Sequence, residues 1–527
     1  MERENYPPII EFLPAAMAIY MVIMMSGMLL VYQDFYFNIL ETKFIYYAVC
    51  TITMVMTVLG YLLLKGDEGG RFRPFSAVDG AVMLWGIIIV LSTLLSPEKK
   101  NAMWGLKGRY TGCFLLLLYV AAYFCITRYY RVKEWHMAVF LAAGAFVCLF
   151  GITDFFDLDL LNFKEEIKET QRYMFCSTIG NINTYTSCVA MIMAFAGVMF
   201  GMSENKKKAA AYGICTMLAF VALILGESDN AYLSLAAFFG LLPFYFFQTR
   251  RGIKRYLVLV AGFFTAAKGA AVVQTAMEGK VVPIKGLFQI IAGYDHLTVV
   301  VAGLWCLAAA SYVVDHFKGG KDRPASPWFV RGWAVLAAAV IALTVFVLYD
   351  VNEASNADRY GRAADYLLFN DSWGTNRGYI WRIAVENYRK LPLLQKIFGY
   401  GPDTFGIITI TNNYPEMVEL YGQLFDNAHN EYLQYLVTIG PLGLASYVAV
   451  HVGAAVHVIR QKVKNPLKIA ALFSVLCYAS QAFVNINQPI ATPIMWTFLA
   501  ITMSRDATER EVCQHPLKEY ELAQEEM

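Results

Sequence analysis

The chain has 527 residues, of which 58% are hydrophobic and only 16% charged. A soluble chain of this length divides into several domains and carries nearer a quarter charged residues, so that class is excluded. The net charge of +2 points to neither an acidic nor a basic partner, and nucleic acid is not expected as one.

The apolar residues sit in blocks of about 20, the length that crosses a bilayer core of about 30 Å as a helix. In chain order the expected spans are 10–31, 44–64, 78–95, 112–127, 135–153, 184–201, 209–226, 231–247, 256–275, 297–315, 328–349, 433–459, 467–484 and 489–503. The first block is too long for the core of a cleavable signal peptide, and further blocks follow it. Lys268 interrupts the ninth span, and the last two are short. Cysteines fall in the expected spans or the C-terminal tail, except Cys176 in a loop. They read as small apolar packers, not as a disulfide framework.

Lys and Arg crowd one set of alternate loops, as in Lys206-Lys207-Lys208, in Arg250, Arg251, Lys254 and Arg255, and in Arg460, Lys462, Lys464 and Lys468. The positive-inside preference places that side, and both termini, in the cytoplasm. The expected fold is all-α: a polytopic integral membrane protein of about fourteen (12–14) transmembrane helices, with one large outer-facing loop containing short helices. Its parts are helices 1–11 in 1–349, the extracytoplasmic loop at 350–430, helices 12–14 in 431–503, and a cytoplasmic tail at 504–527. Loops longer than about 15 residues are usually functional or disordered. This one is too rich in Trp, Tyr, Phe and Ile for disorder.

Within the loop, Ile380, Trp381, Ile383, Ala384 and Tyr388 recur at helical spacing, which predicts an amphipathic helix from Arg377 to Leu391. Trp and Tyr beside Arg suit a helix lying at the membrane interface. Arg382 and Arg389 have Glu386 at i+4 and i−3 as a local ion partner, whereas Arg377 has no acid at those spacings. Arg377 is the arginine free to bind an external anion, against the alternative of an ordinary surface arginine. Asp426-Asn427-Ala428-His429-Asn430-Glu431 precedes a long apolar run. Asp426 or Asn427 is a candidate N-cap, which puts His429 in the first helical turn, where the helix dipole favours neutral imidazole. A neutral His serves as a general base or simply helps to close the helix end.

Taken together, these stretches resemble the O-antigen ligase/polymerase family. The carrying residues are Asn376-Arg377-Gly378-Tyr379-Ile380-Trp381, Leu391-Pro392, Gly399-Tyr400-Gly401 and Ala428-His429-Asn430-Glu431-Tyr432-Leu433, with Gly180-Asn181-Ile182-Asn183 and Lys107-Gly108-Arg109-Tyr110-Thr111-Gly112 earlier in the chain. The resemblance implies a bacterial cytoplasmic-membrane glycosyltransferase. Its donor is an undecaprenyl-diphosphate-linked glycan, and its acceptor is a hydroxyl on another glycan, a lipid glycan or a glycoprotein. It implies His429 and Arg377 as catalytic residues and Arg109, Arg377, Arg382 and Arg172 as diphosphate ligands. Asn427, Asn430, Trp381, Asn181 and Asn485 are candidate lining residues, with Asn487 beside them. One departure stands out. Where many members have Ser-Arg-Gly, this chain has Ser228-Asp229-Asn230, so Arg109 or Arg172 is expected to substitute.

No cofactor or metal is expected. Asp157-Leu158-Asp159 has the spacing of a metal-binding pair, but such pairs are common. The competing readings are a transporter or flippase, for which Lys268 and the Gly440-Pro441-Leu442-Gly443 break are the candidate features, and a non-catalytic assembly or sensor protein.

Overall fold

The computed structural model describes residues 12–65, 75–317, 323–461 and 464–504. The expected tail lies outside these residues from position 505 onward. Inside a bilayer no water satisfies backbone groups, so a spanning segment must be helical, and each of the expected spans is a helix. Ten described helices are long and apolar enough to cross a membrane. Four expected spans fall on the shorter helices Cys113–Tyr129, Ala231–Phe246, Pro466–Gln481 and Ala491–Met503, so the length criterion does not reach fourteen. The protein is an all-helical multi-pass membrane protein.

Helix Ile182–Met202 forms the centre, with 94% of its apolar window buried. Helices Lys206–Leu225 and Pro466–Gln481 pack along it, and Ala491–Met503 is buried throughout. Ser474 Oγ donates to Met191 O at 2.9 Å, and Ser234 Oγ donates to Cys477 O at 2.8 Å. Small hydroxyl residues like these allow close helix approach and cross-link neighbours. Helices Leu297–Phe317 and Pro327–Asn352 are peripheral, with only 11% of each window buried.

The long loop follows Asn352 and folds over one end of the bundle. It contains helices Trp373–Lys390, Leu393–Phe398 and Phe405–Tyr421 and has its own apolar cluster. Tyr379, Ile380, Ile383 and Ala384 are buried in that cluster with Phe405, Ile408, Met417 and Phe425. The expected interfacial helix is therefore amphipathic for a different reason. Its apolar face is covered by helix Phe405–Tyr421 and by the segment leading to Ala428.

The loop is fastened to the bundle at a broken helix. Helix Glu431–Arg460 is interrupted at Gly440, with φ 72°, immediately before Pro441. The missing proline N–H and the kink free carbonyls of the preceding turn. Tyr400 N and Gly401 N donate to Val437 O and Thr438 O, and Ser92 Oγ also reaches Thr438 O. A Cβ on Gly399 would lie 2.2 Å from the Thr438 carbonyl, and one on Gly440 would lie 2.1 Å from Ile397 O. The Gly-Tyr-Gly run is thus a clasp that needs two backbones in contact.

Candidate functional site

Arg377 begins the regular part of its helix. The three residues before it, Gly374, Thr375 and Asn376, all have left-handed backbones, with φ 59°, 62° and 70°. For Thr and Asn that conformation costs of order 1–3 kcal/mol each, and such strain persists only where surroundings enforce it. The resulting hook turns the Gly374 carbonyl onto Arg377 Nη1 at 2.6 Å. Arg377 Nε is buried and has no hydrogen-bond partner. Burial lowers the guanidinium pKa, and Asp229 opposes that shift. Even so, an arginine starting above 12 remains charged at neutral pH. The absence of a helical-spaced acid was legible in the sequence; the influence of Asp229 was not.

Asp229 lies between helices Lys206–Leu225 and Ala231–Phe246. Burial raises its pKa, while Leu287 N–H and Arg377 pull it down. At the place where the resemblance leads one to expect an arginine, this chain has a carboxylate whose charge acts on Arg377 without an ion pair between them. Beside it, Ser228, Asn230 and Asn485 converge on Asn183: Ser228 Oγ donates to Asn183 Oδ1 at 2.6 Å, and the Asn230 and Asn485 amides donate to Asn183 O. Asn181 caps helix Ile182–Met202 by accepting from Asn183 N.

His429 is not in a first helical turn. The N-cap of helix Glu431–Arg460 is Asn430, whose side chain accepts from Leu433 N. His429 precedes that cap with φ 47°. The expected Asp426 cap fails because its carboxylate is engaged elsewhere, with Arg109. The dipole argument therefore does not apply, yet neutrality holds on other grounds. Burial, then the charges of Arg377 and Arg109, lower the His429 pKa to about 4, with Asp426 opposing. A shift of that size disfavours imidazolium by roughly 3 kcal/mol relative to a free side chain. Its ring makes no hydrogen bond among the described residues.

Three contacts fix the unusual backbone at His429. Asn427 Oδ1 accepts from His429 N at 3.0 Å. Trp381 Nε1 donates to Ala428 O at 3.0 Å, and Gln434 Oε1 accepts from Ala428 N at 3.0 Å. Both backbone groups of Ala428 are held, one in the peptide before it and one in the peptide after it. Trp381 itself packs at tilted angles against the rings of Phe369 and Trp373. Gln434 carried no sequence signal beyond its place one turn into the helix.

Arg109 forms a two-point ion pair with Asp426, Nε to Oδ2 at 3.0 Å and Nη2 to Oδ1 at 2.6 Å. Burial acts against its charge, but Asp426 raises its pKa above the ordinary arginine value. For Asp426, burial is outweighed by Arg109, and its pKa falls. Asp403 anchors the loop that presents Arg109, accepting from Leu106 N at 2.7 Å and Thr111 N at 3.2 Å. Burial lifts Asp403 to about 6 against those bonds. Arg109 thus faces His429 electrostatically with its fork already occupied.

The other two expected diphosphate ligands are engaged elsewhere. Arg382 bonds Asp371, Glu386 and Glu416 at 2.9–3.1 Å. Asp371 first, then the other two acids, raises its pKa, and it has no free fork for an anion. The other expected pair, Arg389 with Glu386, does not form. Arg172 donates to the carbonyls of Ile167 and Glu165 in its own loop. Among the described residues no group of three or more His, Cys, Asp or Glu could hold a metal.

These features define a class: a multi-pass membrane protein with a buried, partly unsatisfied guanidinium and a neutral imidazole acting on one another at one end of the bundle. The family follows from comparison. Residues 290–448, a segment that includes both Arg377 and His429, match the family model described as O-antigen ligase, consistent with the ligase/polymerase family. No curated protein matches the chain. The match supports, at family level, a membrane glycosyltransferase of the O-antigen ligase/polymerase type.

Proposed function

We propose that the protein transfers a glycan from an undecaprenyl-diphosphate carrier to an acceptor hydroxyl at the outer face of the bacterial cytoplasmic membrane. The observation that carries this reading is the buried, unpartnered Nε of Arg377 together with a His429 that burial and the charges of Arg377 and Arg109 keep neutral. A guanidinium with an open edge matches the bidentate geometry of a phosphate. A neutral imidazole without a hydrogen-bond partner can accept a proton. The Lys and Arg distribution supports the outward orientation of the loop and cytoplasmic termini.

In the transfer, His429 takes the acceptor hydroxyl proton as that oxygen forms a bond to the anomeric carbon of the donor sugar. The bond from the anomeric carbon to the diphosphate oxygen breaks, and the electron pair leaves with the carrier diphosphate. Arg377 stabilises the charge that develops there, an effect concentrated in the transition state. The proton on His429 then passes to the departing diphosphate or to water. Arg109 keeps His429 neutral between turnovers and holds the His429 segment through Asp426. Asp229 keeps Arg377 from being an isolated buried charge until the anion arrives.

His429→Ala and Arg377→Ala, expressed in the native host and checked for membrane insertion, test this. Both should abolish formation of the mature surface glycan. Short repeats left on their normal anchor would identify polymerisation, and full chains accumulating on the carrier would identify ligation. Normal glycans in both variants would overturn the assignment.

A further inference from the structure

A cavity lies on the same end of the bundle, beside the loop that carries Arg109. It encloses about 360 Å³, within the range of small-molecule sites, roughly 300–1,000 Å³. Lys107, Gly108 and Tyr110 form one wall, so this wall and Arg109 share one short loop. Asn181 and Gln488 form another, and the Asn183–Asn485 contact lies within a few residues of both. The cavity and the Arg377–His429 centre are therefore separated by segments that border each of them.

The lining has a consistent chemistry. Gln488 is 7% exposed, and its carbonyl oxygen is occupied by Thr184 Oγ1. Asn181 uses its carbonyl oxygen to cap the following helix. The NH2 groups of both amides make no hydrogen bond among the described residues, although both residues line the cavity. Neither nitrogen is a fully buried atom, so both donors remain open to an acceptor atom bound in the cavity, each such bond contributing about 0.5–1.5 kcal/mol. Aromatic rings complete the walls. Tyr110 is stacked on Phe44 at 4.9 Å, and Tyr36 is stacked on Phe175 at 5.1 Å, so both are held rigidly. Glu41 and Lys107 place opposite charges on the lining, which makes it a poor site for a diphosphate or an isolated ion.

Flat aromatic faces together with spare amide donors suit a sugar, which offers apolar C–H faces and hydroxyl oxygens. We infer that this cavity binds the acceptor glycan, and that the acceptor reaches His429 past the Lys107–Tyr110 loop. The inference rests on the glycosyl-transfer reading above. The donor occupies the other side, because the open guanidinium its diphosphate requires is Arg377.

The test uses the full chain in lipid nanodiscs. The carrier-linked repeat unit from the host serves as donor, and fragments of the host's own surface polysaccharide serve as acceptor. Gln488→Leu removes the amide donors at similar volume. It should raise the acceptor KM about tenfold, the effect of one neutral hydrogen bond, and leave the donor KM unchanged. An unchanged acceptor KM, or a rise in donor KM instead, overturns the inference. Should Gln488→Leu fail to insert, Phe37→Cys takes its place. Phe37 lines the cavity and is 61% exposed. A bulky maleimide added after insertion should then abolish transfer, while the same reagent on Leu161→Cys, outside the cavity, should not. Retained transfer in the modified Phe37→Cys protein overturns the inference as well. His429→Ala is assayed in parallel. If it remains active, the glycosyl-transfer reading itself has failed; if it is inactive while the cavity variants behave as wild type, only the acceptor site has.

Discussion

Arg377 is the residue whose replacement separates charge from geometry most cleanly. Its Nη1 is held by Gly374 O, and its Nε has no partner, so the open edge is the part available to an anion. Arg377→Lys keeps the positive charge but removes the planar fork. Losing one hydrogen bond to a charged group costs about 1.5–3 kcal/mol, or roughly 10- to 100-fold in rate. Arg377→Ala removes the charge as well. Loss of a group that stabilises a developing anion lowers kcat by roughly 10²–10³. A second consequence follows for His429, whose pKa is held down to about 4 partly by Arg377. With the cation gone, the imidazole pKa rises toward its ordinary value near 6.5. The base must be unprotonated to work, so wild-type activity should persist as pH falls from 7 and drop only near pH 4. In Arg377→Ala the residual activity should begin to fall at higher pH. Transfer of a labelled carrier-linked repeat in nanodiscs, measured from pH 4 to 8, gives both quantities. Arg377→Lys within threefold of wild type, together with an unmoved acid limb in Arg377→Ala, would refute the reasoning.

Other replacements probe the supports of the site. Gln434→Leu removes the bond that holds the Ala428 N–H. We expect kcat to fall about tenfold at unchanged donor KM, with no further loss when the change is added to His429→Ala; a merely structural role would show additive losses in expression or stability instead. Arg382→Gln should leave transfer within a factor of a few, because this arginine is committed to Asp371, Glu386 and Glu416, but should make the loop more sensitive to limited proteolysis. A hundredfold loss of transfer in well-folded Arg382→Gln would restore it as a donor ligand. Gly399→Ala should lower the thermal midpoint of the purified protein by several degrees, since the added methyl meets the Thr438 carbonyl; an unchanged midpoint would show that the clasp yields freely.

The membrane helices were legible because the bilayer imposes one length and one composition on every span, and both appear as local runs. Arg377 was singled out by a local criterion, the absence of an acid at helical spacing, and its Nε indeed has no hydrogen-bond partner. Several of the differences came from partners distant in sequence. Asp426 looked like a cap until its carboxylate met Arg109, 317 residues away. Arg382 seemed to have one acid and has three, two of them beyond its own helical neighbours. The apolar stripe on the Arg377 helix was read as facing lipid, because periodicity shows that a face is covered but not what covers it. The influence of the Asp229 carboxylate on Arg377 could not be read from either segment alone.

The clasp between Gly399-Tyr400-Gly401 and the break at Gly440 fixes an order of events during synthesis. Translation delivers Arg109 first, then Arg377, and only afterwards the helix whose freed carbonyls hold the loop in place. Until that last hairpin is inserted, Arg109 has no Asp426 and Arg377 has no imidazole to act on. A nascent or truncated chain therefore carries the reactive groups without bringing them together. The site is assembled only once the C-terminal helices are in the bilayer, so its assembly is the last step of the chain's insertion.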